Sequence, residues 1–296
     1  RPFLTDCNTL YVGSRKNALD HLETAYQNGF NPYNTGCHIL IGDGLKGNDE
    51  VEVPVEGGEY VKNAKIGRAV MDADIFISLS HFKGHEMTGF GGAIKNIGMG
   101  CGSRAGKKEQ HSSGKPYIDE DTCRGCRKCL RECANDGLIF NEEKGKMYVN
   151  EANCVGCGRC LGACNFDAIA FHNDNANELL NYKMAEYTKA VVDGRPHFHI
   201  SLIVDVSPNC DCHSENDAPI LPNIGMFASF DPVALDLACA DAVNAQVANP
   251  GSKLAAANRP DLDNLTAPFP HTSWRAQIEH AKKIGLGEDS YELITI

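Results

Sequence analysis

Two stretches of eleven residues decide how this chain is organised: CRGCRKCLREC at residues 123–133 and CVGCGRCLGAC at residues 154–164. Their surroundings repeat at the same offset of 31 residues, since residues 117–120 (YIDE) return as 148–151 (YVNE) and residues 138–140 (LIF) return as 169–171 (IAF). A repeat that keeps both the cysteines and the flanking apolar residues indicates a duplicated structural unit. Residues 116–172 are therefore predicted to form a segment of their own.

Each motif has the spacing C-x2-C-x2-C-x3-C, in which three closely spaced thiolates can surround one face of a metal cluster. The segment resembles the two-cluster bacterial ferredoxins over nearly its whole length, although the usual proline after the fourth cysteine is replaced by Ala134 and Asn165. In those ferredoxins the fourth cysteine of each motif binds the other cluster, so the resemblance implies two 4Fe–4S clusters. One would be held by Cys123, Cys126, Cys129 and Cys164, and the other by Cys154, Cys157, Cys160 and Cys133.

Two other interpretations of these cysteines stay open. The first is a pair of zinc sites, although zinc ribbons use two CxxC pairs far apart, without a third cysteine at the next two-residue step. The second is that the clusters are present and have only a structural role. Two clusters in series usually form a path for electrons, which favours electron transfer.

The two outer segments, residues 1–115 and 173–296, alternate apolar runs with helical patterns, which indicates βαβ units. Strands are predicted at residues 1–4, 38–41, 75–79, 199–206, 225–230 and 291–296. Helices are predicted at residues 18–26, 61–71, 177–192 and 274–283, and after Asp231, which suits an N-cap before Pro232. The predicted fold class is α/β: a mostly parallel sheet flanked by helices, interrupted at 116–172 by an inserted α+β ferredoxin-like domain.

Composition narrows the class of protein. The net charge of −11 argues against binding to nucleic acid or to an anionic membrane, because both require a cationic surface. No apolar run approaches the ~18 residues of a membrane span, and no signal-peptide pattern opens the chain. Eight of the fourteen cysteines lie at metal-ligand spacing, which favours a reducing cytoplasm over a disulfide framework. The first residue is Arg1 rather than Met, which leaves a further upstream segment open.

Residues 81–115 form a basic, glycine-rich segment, with six Lys or Arg against two Glu and with nine glycines. The segment follows the predicted strand at 75–79, and open α/β sheets bind ligands beyond the carboxyl ends of their strands. A helix that begins near Gly92 would direct its positive end at an anion. We therefore expect a pocket here for a small molecule that carries a carboxylate or a phosphate.

Several side chains of this segment suit such a pocket. Histidines four residues apart would share one face of a helix and could transfer protons or bind metal, the alternative being hydrogen-bonded structural histidines. The candidate catalytic residues are His81, His85 and Lys95. The candidate cofactor-binding residues are Lys83, Gly91, Gly92 and Cys101. Lys107 and Lys108 are expected to be solvated surface charges.

A second polar cluster, Cys210-Asp211-Cys212-His213, follows the predicted strand at 199–206. Its cysteines and histidine could meet Cys101 and bind a further metal ion. Because C-x-C-H is a weak motif, free thiols near the clusters and ordinary loop residues stay open as alternatives. The candidate cofactor-binding residues of this loop are Asp205, Cys210, Cys212 and His213. Asp231 and Asp236 are interpreted as a helix cap and a helix-surface residue, and Cys7, Cys37 and Cys239 as small buried residues.

The outer segments also resemble a known family, through residues 80–85 (SHFKGH), 89–96 (GFGGAIKN), 208–212 (PNCDC) and 230–234 (FDPVA). These strings are similar to those of the iron–sulfur family called domain of unknown function 362, which carries a ferredoxin insertion at the same place. That resemblance implies no defined reaction. Residues 85–95 are also similar to a segment of nickel-dependent lactate racemases, which implies Lys95 as an anion or cofactor anchor and His85 as an acid–base group.

Three functions are compatible with these patterns. The leading prediction is an iron–sulfur oxidoreductase, in which electrons pass from a redox partner protein to a small anionic substrate or cofactor at the loops 81–101 and 205–213. The second is a non-redox isomerase or lyase that uses His81, His85 and Lys95 beside structural or sensing clusters. The third is a pure electron-transfer subunit. The string GFGGAIK lacks the spacing of a phosphate-binding loop.

Overall fold

The computed structural model of the protein describes residues 1–112, 115–157, 159–164, 166, 168–171, 176–212 and 217–296. The first part of the chain contains β1 (Phe3–Asp6), α1 (Ala18–Gln27), α2 (Pro32–Thr35), β2 (His38–Ile41), β3 (Glu50–Pro54), β4 (Asn63–Gly67), α3 (Arg68–Met71), β5 (Phe76–His81), β6 (Lys83–His85), β7 (Gly89–Gly91), α4 (Ala93–Cys101) and α5 (Arg104–His111). The middle part contains β8 (Pro116–Ile118), α6 (Lys128–Arg131), β9 (Leu138–Asn141), β10 (Lys146–Val149), α7 (Arg159–Gly162) and β11 (Ile169–Phe171). The last part contains α8 (Ala176–Val192), β12 (His197–Ile203), β13 (Gly225–Ser229), α9 (Pro232–Asn244), α10 (Lys253–Ala257) and α11 (Trp274–Lys283).

A three-stranded sheet in the order β13–β12–β5 supports the region of interest. Strand β5 runs parallel to β12, and β13 runs antiparallel to it. Side chains alternate between the two faces of a strand, so Ser80 and Ser201 are buried on one face while Ile77 and Leu79 are exposed on the other. Helices α4 and α9 pack against this sheet, and α8 packs along α4.

Helix α4 lies unusually close to α8 because Gly98 has no side chain. A Cβ atom at Gly98 would lie 2.3 Å from the carbonyl oxygen of Met184 and 2.9 Å from Thr188 Oγ1. The Thr188 hydroxyl bonds across the same contact, donating to the Ile94 carbonyl at 2.8 Å. This contact fixes the position of α4, and with it the position of the α4 residue Lys95.

The described strands form several small sheets rather than a single large one. Parallel pairs are β1–β2 and β5–β12, whereas β3–β4, β6–β7, β8–β11, β9–β10 and β12–β13 are antiparallel. The protein is therefore mixed α/β, which agrees with the predicted class at that level. A dominant parallel sheet is not confirmed.

The middle part repeats its elements at the offset found in the sequence. The short helices α6 and α7 begin at Lys128 and Arg159, which are 31 residues apart. Each strand pair joins the two halves of the repeat: β8 of the first half pairs with β11 of the second, and β9 of the first half pairs with β10 of the second. The segment has a small hydrophobic cluster of its own, made of Cys123, Cys129, Leu138, Met147, Ala168 and Ile169.

Two local predictions were wrong, and one conditional expectation does not apply. Residues 61–71 are not one helix, because Asn63–Gly67 form β4, whose Ala64 and Ile66 pair with Val53 and Val51 of β3. Residues 291–296, all of which the structure describes, form no strand and are exposed. His81 and His85 do not share a helix face, because they end the strands β5 and β6.

The predicted helices at 18–26, 177–192 and 274–283 are confirmed within two residues at each end. Asp231 is the N-cap of α9, accepting hydrogen bonds from the Val233 and Ala234 amides, and Pro232 is its first residue. Among the described residues, no helix combines the length and the hydropathy that a bilayer crossing requires.

Candidate functional site: a thiolate pocket beside two cysteine quartets

The candidate pocket is a cluster of polar side chains that forms where the β6–β7 hairpin and the start of α4 meet the loop that follows β12. Gly84 of β6 donates its amide hydrogen to the Ser207 carbonyl at 2.8 Å. A Cβ at Gly84 would lie only 2.4 Å from the Pro208 carbonyl oxygen, so the loop can lie this close to β6 only because residue 84 is glycine. This close approach brings Cys210 and Cys212 to the lysines and histidines of the basic segment.

Cys210 is buried, and its sulfur accepts hydrogen bonds from two donors. Lys95 Nζ donates a hydrogen bond to Cys210 Sγ at 3.2 Å, and the Cys212 amide donates to the same sulfur at 3.4 Å. A hydrogen bond from the Cys212 side chain lowers the pKa of Cys210 well below its ordinary value, against the effect of burial and with help from the Lys95 charge. The same hydrogen bond, together with burial, raises the pKa of Cys212.

Lys95 is the cationic partner of this thiolate. Burial alone would lower the pKa of its ammonium group, but the charges of Cys210 and Cys212 raise the pKa above its ordinary value. The pocket therefore pairs Lys95, whose pKa is raised, with Cys210, whose pKa is lowered, and favours the thiol form of Cys212.

His85 completes a group of three potential metal ligands. One ligand atom each of His85, Cys210 and Cys212 lies within 4.8 Å of the other two, close enough to hold a metal ion. However, the Met87 and Thr88 amides donate hydrogen bonds to His85 Nδ1 at 3.0 and 3.2 Å. A neutral His85 therefore carries its proton on Nε2, which leaves neither ring nitrogen with a free lone pair. This geometry opposes metal binding by the histidine.

His81 and Lys83 form a second cationic group at the edge of the pocket. His81 Nδ1 lies 2.9 Å from Asp211 Oδ2, and its Nε2 lies 2.7 Å from the Val204 carbonyl oxygen. The hydrogen bond to Asp211 raises the pKa of His81, because both ring nitrogens face acceptors and must carry protons to be satisfied. Lys83 Nζ lies 3.6 Å from the same carboxylate and donates to the His81 carbonyl at 2.9 Å.

The start of α4 is occupied by a carboxylate of the chain itself. Asp236 accepts hydrogen bonds from the Ala93 amide at 2.6 Å and from the Ile94 amide at 2.9 Å. Asp236 is fully buried, so its interpretation as a helix-surface residue was wrong. Burial raises its pKa to about 7, although both amides lower it. Gly92 leaves room for this carboxylate, because a Cβ there would lie 2.2 Å from Asp236 Oδ1.

Gly91 has a related role, since the side chains of Lys83 and Lys95 both lie over it. A Cβ at Gly91 would lie 2.8 Å from Lys95 Cδ and 3.2 Å from Lys83 Cε. The glycines at 91 and 92 therefore make space for charged side chains of the protein.

Two predicted residues lie elsewhere, and a third is outside the described residues. Cys101 is at the far end of α4, about 9 Å along the helix axis from Lys95, where its carbonyl oxygen accepts a hydrogen bond from Cys7 Sγ at 3.3 Å. Asp205 is an exposed turn residue with φ 48°, and its amide donates to Asn223 Oδ1. His213 lies outside the described residues.

Lys107, expected on the surface, is buried instead, and its ammonium donates to the Gly100 and Gly102 carbonyls at 3.1 and 2.6 Å. Lys108 is exposed, as expected.

Sequence reasoning missed a buried pair next to the pocket, Tyr11 and His111. The Tyr11 hydroxyl lies 2.8 Å from His111 Nε2. Burial, followed by the charges of Lys95 and His85, lowers the pKa of His111 to about 3. Burial raises the pKa of Tyr11, and the next causes are Cys212 and then Cys157. Tyr11 is therefore influenced by both the pocket and the second cysteine motif, which no local pattern in the sequence reveals.

The first cysteine quartet surrounds one cavity. Its volume is about 20 Å³, and its walls include Cys123, Cys126, Cys129 and Cys164. Burial, followed by the thiols of Cys164, Cys123 and Cys126, raises the pKa of Cys129 to about 11. Gly125 between the first two cysteines has φ 64°, and a Cβ there would lie 2.0 Å from the Gly145 carbonyl oxygen. The fourth cysteine of the second motif thus joins the first three of the first motif.

The second quartet groups Cys133 with the first three cysteines of the second motif. Burial raises the pKa of Cys157, and the thiols of Cys133 and Cys154 raise it further, against the neighbouring Arg159. Burial is also the main cause that raises the pKa of Cys160, and the next causes are the neighbouring thiols of Cys157, Cys154, Cys129 and Cys133. The Gly137 amide donates a hydrogen bond to Cys133 Sγ at 3.1 Å.

Arg159 joins the second quartet to the pocket loop. This residue lies between Cys157 and Cys160, is almost fully buried, and donates from Nη1 to the Cys212 carbonyl at 3.0 Å. Its Nη2 donates to Glu132 Oε2 at 2.8 Å, next to Cys133. A guanidinium group with two fixed acceptors holds both segments in one arrangement. The pocket and the second quartet are therefore neighbours.

The family comparison covers most of this architecture. The family model described as "Domain of unknown function (DUF362)" matches residues 1–241 of the 296. This range includes the pocket, both quartets and most of the helix that carries Asp236. A search of curated proteins found no match to the chain.

Proposed function

The chain belongs to the DUF362 family, whose description assigns no reaction, and from its own residues we propose that it is an iron–sulfur oxidoreductase. In this proposal the two cysteine quartets hold 4Fe–4S clusters, which supply single electrons when bound. The electrons come from a redox partner protein and serve a small anionic substrate or cofactor in the pocket of Lys95 and Cys210.

The grouping of the eight cysteines supports the iron–sulfur part of the proposal. Four thiols around one cavity match the ligand set of a 4Fe–4S cluster, which is bound by four thiolates. The amide hydrogen that Gly137 directs at Cys133 Sγ is the kind of contact that tunes cluster potentials. The middle segment, residues 116–172, is accordingly proposed to be a ferredoxin-like insertion between two parts of an α/β domain. A reducing cytoplasm is the compartment that suits its free thiols.

The bond from Arg159 to the Cys212 carbonyl is the observation that carries the oxidoreductase proposal. A cluster module with an independent role would need no buried contact to the pocket loop. Here the contact comes from a residue between two predicted cluster ligands. The hydrogen bond is accepted by Cys212, a residue of the pocket, so electrons from the clusters would arrive next to the proposed substrate.

The charges of the pocket support an anionic ligand. Lys95 and Lys83 lie in this region together with His81, whose pKa is raised by Asp211, and the nearby anionic side chains are Cys210, Asp211 and Glu86. Anions are stabilised where fixed cationic side chains converge in a poorly solvated site. Because Asp236 fills the start of α4, these side chains rather than the helix dipole would bind the ligand.

The first test measures the clusters directly. Protein purified without oxygen should contain about eight irons per chain, and Cys157→Ser should lower this number to about four. Zinc in place of iron, or fewer than about four irons in the wild type, would contradict the proposal.

The second test asks whether electrons leave through the pocket. Dithionite-reduced protein is mixed with small carboxylates and phosphates, and reoxidation is followed by visible absorption. A compound that reoxidises the wild type and Lys108→Met but not Lys95→Met supports the proposal. Equal reoxidation of Lys95→Met and Lys108→Met would show that the pocket is not the exit, because Lys108 is exposed and outside it.

A further inference from the structure

We propose that Cys210 and Cys212 form a redox-active dithiol, which closes to a disulfide on oxidation and is the group of the pocket that accepts electrons. This inference deepens the proposed function, and it concerns thiols whose state can be measured whether or not the quartets hold clusters. The conversion uses the turn between the two cysteines and requires no rearrangement of the sheet.

The positions of the two sulfurs carry the inference. They lie within 4.8 Å of each other, and the Cys212 amide already donates a hydrogen bond to Cys210 Sγ at 3.4 Å. A disulfide requires the sulfurs to approach to about 2.05 Å, with Cα atoms about 4.4–6.8 Å apart. Closing the remaining gap would require rotation of the two side chains, which belong to one short turn. Cys212 is only half-buried, so the turn has an exposed side.

A metal site is the competing use of these sulfurs, and two contacts oppose it. The amides of Met87 and Thr88 occupy His85 Nδ1, so the third potential ligand has no free lone pair. The Lys95 ammonium lies 3.2 Å from Cys210 Sγ, where a metal ion would meet a like charge. Both contacts suit a thiolate that is stabilised by hydrogen bonds and not by a metal.

The reaction balances with one thiolate and one thiol. Oxidation joins the two sulfurs, releases the proton of Cys212 and passes two electrons to the anionic substrate, which is reduced as a two-electron acceptor. Reduction of the disulfide uses a one-electron donor of low potential, which acts twice and supplies two electrons in all. Cys212 takes up one proton, and Cys210 returns to the thiolate. Because Lys95 stabilises this thiolate, the reduced form is favoured and the couple is more oxidising than a dithiol without a cationic partner.

The location of the turn gives the couple its role. The carbonyl oxygen of Cys212 accepts the hydrogen bond from Arg159, between two cysteines of the second quartet. An electron acceptor at this place would be adjacent to the predicted source of single electrons. It would also collect two electrons, which suits a substrate that is reduced in a single two-electron step.

Thiol mapping tests the couple directly. Trypsin should release the peptide 190–253, because Arg195 precedes a proline, and this peptide contains Cys210, Cys212 and Cys239. After oxidation with glutathione disulfide, acid quenching and alkylation in denaturant, the peptide should carry one label, on Cys239. After reduction with dithionite and methyl viologen it should carry three. Three labels in both states would overturn the inference.

Variants exclude other oxidations. Cys212→Ser and Cys210→Ser should each give two labels in both states, because the remaining partner has nothing to bond. Loss of label in either variant without the added mass of glutathione would show a disulfide to another cysteine and would contradict the pairing. Trp274 fluorescence checks the fold of each variant, since this tryptophan is the only one in the chain and is buried.

The lysine gives an independent measurement. In mixtures of reduced and oxidised glutathione, Lys95→Met should shift the dithiol equilibrium at least about tenfold toward the disulfide, or about 30 mV for a two-electron couple. Lys108→Met should leave it unchanged. No shift with Lys95→Met would overturn the assigned role of the thiolate. The iron content separates the two proposals: a dithiol without iron defeats only the proposed function, and eight irons with three permanent labels defeat only the dithiol.

Discussion

Replacement of Gly98 by alanine tests the contact that positions α4. The added methyl group would have to displace the Met184 carbonyl oxygen, 2.3 Å from its ideal position, and Thr188 Oγ1, at 2.9 Å. The first of these atoms belongs to the backbone of α8 and cannot rotate away. Gly100, in the same helix, provides the matched control, because a Cβ there would meet only Asp6 Oδ1 at 3.4 Å.

The two substitutions share one favourable effect and differ in packing. Alanine is favoured over glycine inside a helix by about 1 kcal/mol, and this gain applies to both positions. Overpacking at Gly98 costs about 1–3 kcal/mol, and loss of the bond from Thr188 to the Ile94 carbonyl costs about 1 kcal/mol more. We therefore expect Gly98→Ala to lower the free energy of unfolding by about 2 kcal/mol and Gly100→Ala to raise it by up to about 1 kcal/mol.

Urea unfolding under anaerobic conditions, followed by the fluorescence of Trp274, measures both variants. This tryptophan belongs to the same hydrophobic core as Ile94 of α4, so its signal reports on the part of the protein that contains the contact. The difference between the two variants, about 3 kcal/mol, is more reliable than either value alone because the helix propensity cancels. Equal stability of the two variants would refute the close packing of α4 on α8.

Three further predictions concern single residues. Asp236, with its pKa raised to about 7, stays protonated in the fold while the unfolded chain ionises. The stability of the wild type relative to Asp236→Asn should therefore fall by up to about 3 kcal/mol between pH 5 and pH 7 and level off above pH 7, and a difference independent of pH would contradict this. Gly125→Ala should remove about half of the iron, because the added Cβ would lie 2.0 Å from the Gly145 carbonyl oxygen. Gly145→Ala is the control and should retain the iron, because a Cβ at Gly145 would have no atom within 4 Å. Equal iron contents in the two variants would count against the cavity. The buried Glu186 carboxylate accepts the Glu59, Tyr60 and Val61 amides and faces His280, so Glu186→Gln should lower the free energy of unfolding by about 2 kcal/mol in urea, and an unchanged midpoint would count against this network.

Local patterns predicted the elements that depend on local interactions. Helix α11 was predicted at its observed bounds, and α9 begins where Asp231 and Pro232 indicate, because capping and helical periodicity act over a few residues. The segment at 61–71 failed because its apolar spacing also fits a strand paired with β3, and the partner strand decided between the two. Tertiary pairing can override a short apolar period in this way.

The residues of the site were found only in part, for a similar reason. Lys95, His85, Cys210 and Cys212 stood out because reactive side chains cluster in short, glycine-rich or cysteine-rich strings. Arg159 did not stand out, since its role depends on contact with a loop 53 residues away in the chain. Asp236 had a signal that was overlooked: α9 is nearly all apolar, which indicates a buried helix, and a carboxylate in a buried helix needs partners.

The same arrangement links the redox state of the pocket to its charge. In the reduced state the Cys210 thiolate neutralises Lys95, at 3.2 Å. A disulfide carries no charge, so its formation would remove the Cys210 charge from Lys95 and leave Glu86 as the remaining anionic side chain known to raise the pKa of this lysine. Loss of an anionic neighbour destabilises a buried ammonium, and an incoming anion would offset that cost. Because Asp236 already occupies the start of α4, Lys95 would be the group that gains most from the ligand, and oxidation of the turn would itself prepare the pocket for an anion.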